Sequence, residues 1–203
     1  MNLRSRLLTH VAARLIVSTL LLGSAILIET SQPRSFPLDR FFFLIAVTYA
    51  LSGVYLATVG IAERHPWLVD AQLGADAMLV SAFIFVTGGI NSAFSSLYVL
   101  PIIAASTIRF RRGALQVATL SAALYLAIVS VQYLDTLEYL HWSPVLQISE
   151  ELPGVRFAQF TVAINLFGFL GAAMLSGSLA ESLKTAGARL EDASQEIQEL
   201  RAF

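Results

Sequence analysis

Two aspartates and a glycine pair are the residues of this chain whose types and positions suggest chemistry. They lie in the stretch "DAQLGADAMLVSAFIFVTGGINSAF", which contains Asp70, Asp76, Gly88 and Gly89. An ionisable group inside a long apolar helix is costly to bury, so by default it marks a functional site with a protein or water partner. Asp76 lies about 13 Å along such a helix at 1.5 Å per residue. It is therefore the first candidate for a sensing or transport residue.

Two interpretations of Asp76 remain open at this stage. It can act with basic partners, for which Arg109, Arg111 and Arg112 are the candidates, or it can make a structural hydrogen bond between helices. Asp70 is expected to be a solvated charge at a helix end. Residues six apart do not share a helix face, so Asp70 and Asp76 make a poor acid/base pair.

The remaining polar residues show no pattern typical of catalysis or of metal binding. His10, His65 and His141 lie far apart and without metal-ligand spacing, and the chain has no cysteine. Neither a GxSxG elbow nor a phosphate loop occurs. The Gly-Gly-Ile-Asn-Ser stretch is typical of a tight turn. We expect no catalytic residue, cofactor or metal site in this chain.

The composition indicates a helical membrane protein. Hydrophobic residues make up 56% of the 203 residues and charged residues only 13%, against about 25% charged in an ordinary soluble domain. The apolar residues form runs near the length that crosses a bilayer as a helix, and the alternating segments of a β-barrel are absent. The sequence thus predicts an all-α polytopic membrane protein.

Hydropathy predicts six transmembrane helices, followed by a cytoplasmic coiled-coil helix. The fourth is short and contains Pro101, where we expect a kink. The six predicted spans are Val11 to Ile28, Phe41 to Ala62, Trp67 to Thr87, Ala93 to Ile108, Gly113 to Leu134 and Phe157 to Leu179. Residues 1–178 would form the sensor domain and residues 179–203 the signalling helix. The connections are short, so a signal would be met within the membrane or at its edge.

The basic residues predict the orientation, because Lys and Arg concentrate in cytoplasmic connections. With both termini inside a bacterial cytoplasmic membrane, the inner side holds more basic residues than the outer side. The inner set is Arg4, Arg6, Arg14, Arg64, Arg109, Arg111, Arg112, Lys184, Arg189 and Arg201, and the outer set is Arg34, Arg40 and Arg156. A signal peptide is the alternative for the first span, and it would leave the later spans oriented the same way.

The tail carries a heptad pattern of apolar residues. Its members, which alternate in steps of four and three, are Leu179, Leu183, Ala186, Leu190, Ala193, Ile197 and Leu200. One helix cannot bury such a stripe, so the pattern favours a parallel homodimeric coiled coil, with Glu196 and Arg201 at flanking positions. The alternative is a tail that docks on its own bundle. Ala186, Ala193 and Gly187 make the predicted coil a weak one.

A small-residue face in the sixth span favours the same dimer. Gly168, Ala172 and Ser176 recur every four residues, and such faces let helices approach closely in lipid. Ala172 and Ser176, with Leu179, continue the heptad phase towards the membrane. One dimer seam is therefore expected to run from the membrane into the cytoplasm. The pattern continues to the final Phe203 without a stop signal, so we expect the helix to lead into another domain.

These features together resemble a known family. The stretches "GADAMLVSAFIFVTGGINSAFSSLYVLPIIAAS" and "RFRRGALQVATLSAALYL", with six spans and a heptad tail, resemble the membrane sensor region of PilS-like bacterial sensor histidine kinases. The resemblance implies that Asp76, Gly88, Gly89 and Pro101 match positions that recur in the third and fourth helices of the family, and these four are the candidate sensing residues. It also implies a PAS domain and a two-component kinase output, but these residues contain neither a His-Glu phosphoacceptor box nor an ATP lid.

The expected function is therefore a membrane sensor that relays an intramembrane signal through a dimeric coiled coil. Its expected partners are a second copy of the chain, membrane lipid and the helix of a membrane partner protein. We expect no nucleic-acid partner. The alternatives are a small ion or solute transporter that uses Asp76, and an integral-membrane enzyme. An enzyme would need a nucleophile with a base, which the sequence does not show. A transporter would leave the heptad tail without a role.

Overall fold

A computed structural model of the chain describes residues 11–12, 15–16, 19–20, 38–62, 65–136 and 152–201. The secondary structure of these residues is almost entirely helical, and they contain no strand, which confirms the all-α class. The elements are α1 (Leu38–Ala62), α2 (Pro66–Val86), two 3₁₀ helices (Gly89–Asn91 and Ala93–Tyr98), α3 (Val99–Thr136) and α4 (Val155–Arg201).

Three described helices are long and apolar enough to cross a membrane, so this is a membrane protein. They are Trp67–Val86, Ala93–Tyr133 and Val155–Gln198, and a shorter apolar stretch, Phe42–Thr58, lies within α1. The predicted second and third spans agree with α1 and α2 to within three residues. Most of the first predicted span, together with His10, His141 and most of the Asp135 to Arg156 connection, lies outside the described residues.

The ends of α2 follow from its sequence. Pro66 occupies the first turn, where its missing N–H costs nothing and its fixed φ suits a helix. At the other end, the Thr87 hydroxyl donates to the Phe83 carbonyl at 2.6 Å. Gly88 follows with φ 111°, a left-handed conformation that glycine adopts without steric cost. The helix therefore ends where the Gly-Gly turn begins.

Within α3, the chain reverses direction at Phe110. This residue has φ 59° and ψ −149°, whereas the residues on both sides are helical. A Cβ added to Gly113 would lie 3.0 Å from the Ala105 carbonyl oxygen, although a straight helix would separate these residues by about 12 Å. Residues 99–109 and 111–136 are therefore two antiparallel arms, and the break lies between the predicted fourth and fifth spans.

The expected kink at Pro101 is wrong. Pro101 lies in the first turn of α3, directly after the 3₁₀ helix Ala93–Tyr98. A proline in the first helical turn removes no intrahelical hydrogen bond, so it does not bend the helix that follows. The non-helical residue within α3 is Phe110 instead.

The last helix, α4, runs for 47 residues without a break. At 1.5 Å per residue it is about 70 Å long, more than twice the thickness of a bilayer hydrocarbon core. Its first half packs on α3 through the buried Ala158, Phe169 and Ala173, whereas residues 181–198 are exposed along their whole length. One helix thus joins the packed bundle to a projecting tail.

The core lies where α2, both arms of α3 and α4 meet. Its centre holds Tyr98, Tyr125 and Phe169, which are nearly or fully buried and pack edge to face. A smaller apolar cluster of Leu44, Ile45 and Phe83 joins α1 to α2. The N-terminal segment contacts α1 through a 2.8 Å hydrogen bond between the Thr19 and Tyr49 hydroxyls.

Candidate functional site

The Gly-Gly turn after α2 is held by Gln132 from the far end of α3. The Gln132 Oε1 accepts a hydrogen bond from the Ile90 N–H at 2.9 Å, and its Nε2 donates to the Gly88 carbonyl at 3.2 Å. Gly89 has φ 60°, and any Cβ there would clash with the Gln132 side chain. Two glycines and one glutamine thus form a fitted contact. We call residues 87–92 with Gln132 the turn end of the bundle.

Short hydroxyl bonds complete the turn end. The Thr87 and Ser92 hydroxyls lie 2.5 Å apart, and the Ser92 Oγ accepts from the Phe94 N–H at 3.2 Å. The second bond caps the start of the 3₁₀ helix Ala93–Tyr98. Most polar groups of the turn end are therefore bonded within the protein, which makes this region rigid.

In the middle of the bundle, two hydrogen bonds between side chains connect neighbouring helices. The Ser81 hydroxyl of α2 lies 2.6 Å from the Tyr98 hydroxyl, and the Asn165 Nδ2 of α4 donates to the Tyr125 hydroxyl at 3.0 Å. Phe169 packs at 5.0 Å from the Tyr98 ring and 6.0 Å from the Tyr125 ring, measured between centroids. Because Ser81 contacts Tyr98 and Tyr98 packs on Phe169, α2 and α4 are connected through these aromatic rings.

Asp76 lies on the side of α2 that faces α1, and its side chain is buried. The Tyr55 hydroxyl lies 3.3 Å from Asp76 Oδ1 and 3.0 Å from the Gln72 carbonyl oxygen, so both can accept its proton. Gln72 also donates to the Thr58 hydroxyl at 3.2 Å. The carboxyl thus belongs to a polar contact between α1 and α2. This partner, Tyr55, was not among those that the sequence suggested.

The arginine expected near Asp76 instead pairs with Asp70. The Arg109 Nε lies 2.8 Å from Asp70 Oδ1, and the two side chains are 36% and 50% exposed. Asp70 is therefore a partly solvated charge near the start of α2, with a partner at the end of the first arm of α3. The adjoining Arg111 and Arg112 are exposed.

The reversal at Phe110 also contacts α4. The Lys184 Nζ lies 4.7 Å from the centroid of the Phe110 ring, within the range of a cation–π interaction. A Cβ added to Gly177 would lie 2.8 Å from the Arg111 Cα, so α4 touches the backbone of the reversal there. We call Asp70, residues 109–111, Gly177 and Lys184 the tail end of the bundle.

The predicted dimer residues of α4 differ in their surroundings. Gly168 has open space around it, and Ala172 packs against the protein's own core. The Ser176 hydroxyl donates to the Ala172 carbonyl at 2.6 Å. Further along, Leu179, Leu183, Ala186, Leu190, Ala193 and Ile197 are all exposed. Leu200 is within the helix, but its side chain is not described.

The possible metal-ligating side chains do not cluster in the described residues. No group of three or more His, Cys, Asp or Glu that could hold an ion occurs among them. His65 lies exposed in the connection between α1 and α2. In the region that the structure describes, the polar groups link helices to one another.

Sequence reasoning missed four residues that the structure brings into these contacts. Tyr55, Gln132 and Gly177 lack a motif, and Phe110 has no sequence signal for a left-handed conformation. Gln132 had a usable signal, because an amide near the end of an apolar span needs a partner. Gly177 had a weaker one, because glycines in membrane helices often mark close contacts.

The fold and the site define a helical membrane protein. Polar side chains connect the helices of its bundle, and its last helix extends out of that bundle. A family model described as the PilS-like transmembrane domain matches residues 1–190, so the chain belongs to this family. At the family level, this makes the chain a membrane sensor module of a sensor kinase, which confirms the resemblance. Searches of curated proteins and of solved structures found no match.

Proposed function

We propose that this chain is the input module of a two-component histidine kinase. In the proposal, it crosses a bacterial inner membrane six times with both termini in the cytoplasm. It senses a signal within the membrane or at its edge, such as a lipid or the helix of a membrane partner. A homodimeric coiled coil then carries the change to a PAS or kinase output.

The observation that supports this proposal best is the continuity of α4. The same helix carries Phe169 in the buried centre and Leu190 on the exposed tail, which is 72% exposed. A helix without a break moves as one body, so a shift of about 1–2 Å in the bundle reaches the tail. The exposed apolar stripe needs a partner, because a lone helix leaves it in water.

The reversal at Phe110 supports six crossings. The candidate span Ala93–Tyr133 has 41 residues, about twice the number that one crossing needs. Its two antiparallel arms bring Tyr98 and Tyr125 within 6.4 Å of one another. Two crossings with Phe110 at one membrane edge account for this geometry. The Lys and Arg distribution supports a cytoplasmic position for that edge.

Cysteine cross-linking tests the dimer directly, because the chain contains no native cysteine. Ala186→Cys and Ala193→Cys lie on the heptad stripe, while Ala188→Cys lies on the opposite face of the same helix. In membranes containing the chain, we expect the first two variants to form disulfide-linked dimers under mild oxidation. Ala188→Cys is the matched control and should remain monomeric.

The pattern of cross-linking decides between the alternatives. Equal cross-linking of Ala188→Cys and Ala186→Cys would indicate random collision and would contradict a defined coil. An absence of cross-linking at both stripe positions would favour a tail without a dimer partner. Cross-linking at one stripe position alone would argue against a parallel arrangement, since parallel helices place every stripe residue beside its own copy.

Asp76 is the proposed sensing residue, and a chimera with a kinase output tests it. Asp76→Ala should change the ratio of output between inducing and non-inducing conditions. Tyr55→Phe removes the hydroxyl that contacts Asp76 while retaining the ring, so it should change the same ratio in the same direction. Unchanged output for both variants would remove this contact from the mechanism.

A transporter remains the second candidate because Asp76 is a buried carboxyl within an apolar helix. Proton or cation flux into proteoliposomes would support it if Asp76→Asn abolished the flux. Flux that is absent from the unmodified chain would leave the sensor proposal alone.

A further inference from the structure

The tail end of the bundle contains three contacts that together link α2 to α4 through α3. Asp70 and Arg109 connect α2 to the first arm of α3 through their ion pair. Arg109 is followed directly by Phe110, the residue at which the chain reverses. Phe110 and Arg111 then contact Lys184 and Gly177 of α4. These contacts form a continuous path from α2 to α4 that is separate from the aromatic core.

The backbone of the reversal is held on both sides. Phe110 has backbone angles of φ 59° and ψ −149°, which residues other than glycine rarely adopt, so its surroundings must hold it there. On one side, any Cβ at Gly113 would clash with the Arg109 side chain. On the other side, a Cβ at Gly177 would lie 2.8 Å from the Arg111 Cα. Movement of α4 therefore acts directly on the strained residue, and the reverse also holds.

The contacts with α4 leave the heptad stripe free. Gly177 and Lys184 are seven residues apart, so they lie on one face of the helix, about one residue's rotation from Leu183 and Leu190. Lysine side chains on a helix lean toward its N-terminus, which lets Lys184 reach back to Phe110. The bundle can thus hold α4 on one face while a second copy pairs with the other.

We propose that Asp70, Arg109, Phe110, Arg111, Gly177 and Lys184 form a coupling joint that sets the position of α4 according to the position of α2. The ion pair and the cation–π contact are exposed and rearrange readily, whereas the glycine contact fixes how closely α4 approaches. In this proposal, the reversal at Phe110 is the element that changes between two arrangements. This inference deepens the proposed sensor function and rests on it.

The test measures a distance within one chain. Spin labels at Thr119→Cys on α3 and Ala188→Cys on the tail report where α4 lies, and both positions are exposed. The full chain is placed in lipid nanodiscs, and labelled chain is diluted with unlabelled chain so that distances between copies do not contribute. Gly177→Ala should shift the mean distance by about 1–2 Å, the size of helix shifts in switching proteins.

Two controls separate the joint from general effects on the helix. Gly171→Ala is on the same helix with nothing within 4 Å of the added Cβ, so it should leave the distance unchanged. On α2, Asp70→Asn should shift the distance in the same assay, whereas Asp70→Glu retains the charge and should restore it. An unchanged distance in both Gly177→Ala and Asp70→Asn would overturn the joint, as would an equal shift in Gly171→Ala.

The assay also distinguishes failure of the joint from failure of the proposed function. The within-chain distance does not depend on whether two tails pair or whether a kinase follows. A shift in Gly177→Ala and Asp70→Asn supports the joint even if the stripe cysteines never cross-link. The absence of a shift overturns it even if they do.

Discussion

The two ends of the bundle are held together by different kinds of contact. At the turn end, Gln132 makes two hydrogen bonds to the backbone of a largely buried turn, and the glycine at φ 60° fits against it. At the tail end, the Asp70–Arg109 pair is 36% and 50% exposed, and Lys184 contacts the Phe110 ring from an exposed position. The first set is partly buried, and the second is more open to solvent.

This difference indicates where the bundle can move. Hydrogen bonds in a medium of low dielectric are strong and costly to leave unmade, whereas exposed ion pairs contribute about 0–1 kcal/mol and are screened by salt. The turn end should therefore act as a fixed point, and the tail end as the region that shifts. In the proposed mechanism, transmission of a signal to α4 depends on this asymmetry, because the helix leaves the bundle at the tail end.

The largest expected effect is at Gly89. Gly89→Ala places a Cβ at φ 60°, which costs about 1–2 kcal/mol, and it displaces the Gln132 side chain from its bonds at a further cost of about 1–3 kcal/mol. We expect the free energy of unfolding to fall by roughly 2–5 kcal/mol. Denaturation in mixed detergent micelles, followed by circular dichroism, measures this change.

Gly53→Ala is the matched control for that substitution. Gly53 is an exposed residue in the interior of α1 with nothing within 4 Å of an added Cβ. Alanine is favoured over glycine in a helix by about 0.5–1 kcal/mol, so this variant should be slightly more stable. Equal losses at Gly89 and Gly53 would show that the turn end is not a fitted contact.

A smaller effect is expected when Gln132 itself is replaced. Gln132→Leu retains the side-chain size and removes both hydrogen bonds, leaving the Ile90 N–H and the Gly88 carbonyl without this partner. The expected loss of stability is about 1–3 kcal/mol, measured in the same denaturation experiment. Gln116→Leu on the same helix is the control, because Gln116 is exposed. A similar loss in both variants would argue that Gln132 does not hold the turn.

The outline of this fold could be predicted from sequence because its signals are local. The length of the apolar runs predicted α1 and α2 closely, and the glycines at 88 and 89 predicted the turn that follows α2. The heptad spacing indicated that helix would continue past the sixth span, as it does in α4. Each of these properties depends on a stretch of neighbouring residues.

The contacts between helices could not be predicted in the same way. Gln132 is 42 residues from Ile90, and Tyr55 is 21 residues from Asp76. Pairing at such separations depends on how the helices rotate and on how far each slides along its neighbour, and hydrophobicity does not specify either. The left-handed Phe110 was also hidden, because the reversal is imposed by packing and the residue type does not favour it.

The smallest expected effect, at Lys184, tests the other half of the comparison. Lys184→Met removes the ammonium group that contacts the Phe110 ring but keeps an unbranched apolar stem. A cation–π contact at an exposed site contributes about 0.5–1 kcal/mol, so the loss of stability should be no larger than that. Lys184→Arg retains a cation and should restore the stability.

High salt should reduce the difference between the Met and Arg variants, since it screens exposed charge. The loss in Gln132→Leu should be insensitive to salt, because no formal charge is removed. If Lys184→Met instead destabilised the chain as much as Gln132→Leu, the tail end would be as firmly held as the turn end. The shift of α4 would then have to begin in the aromatic core, at Phe169.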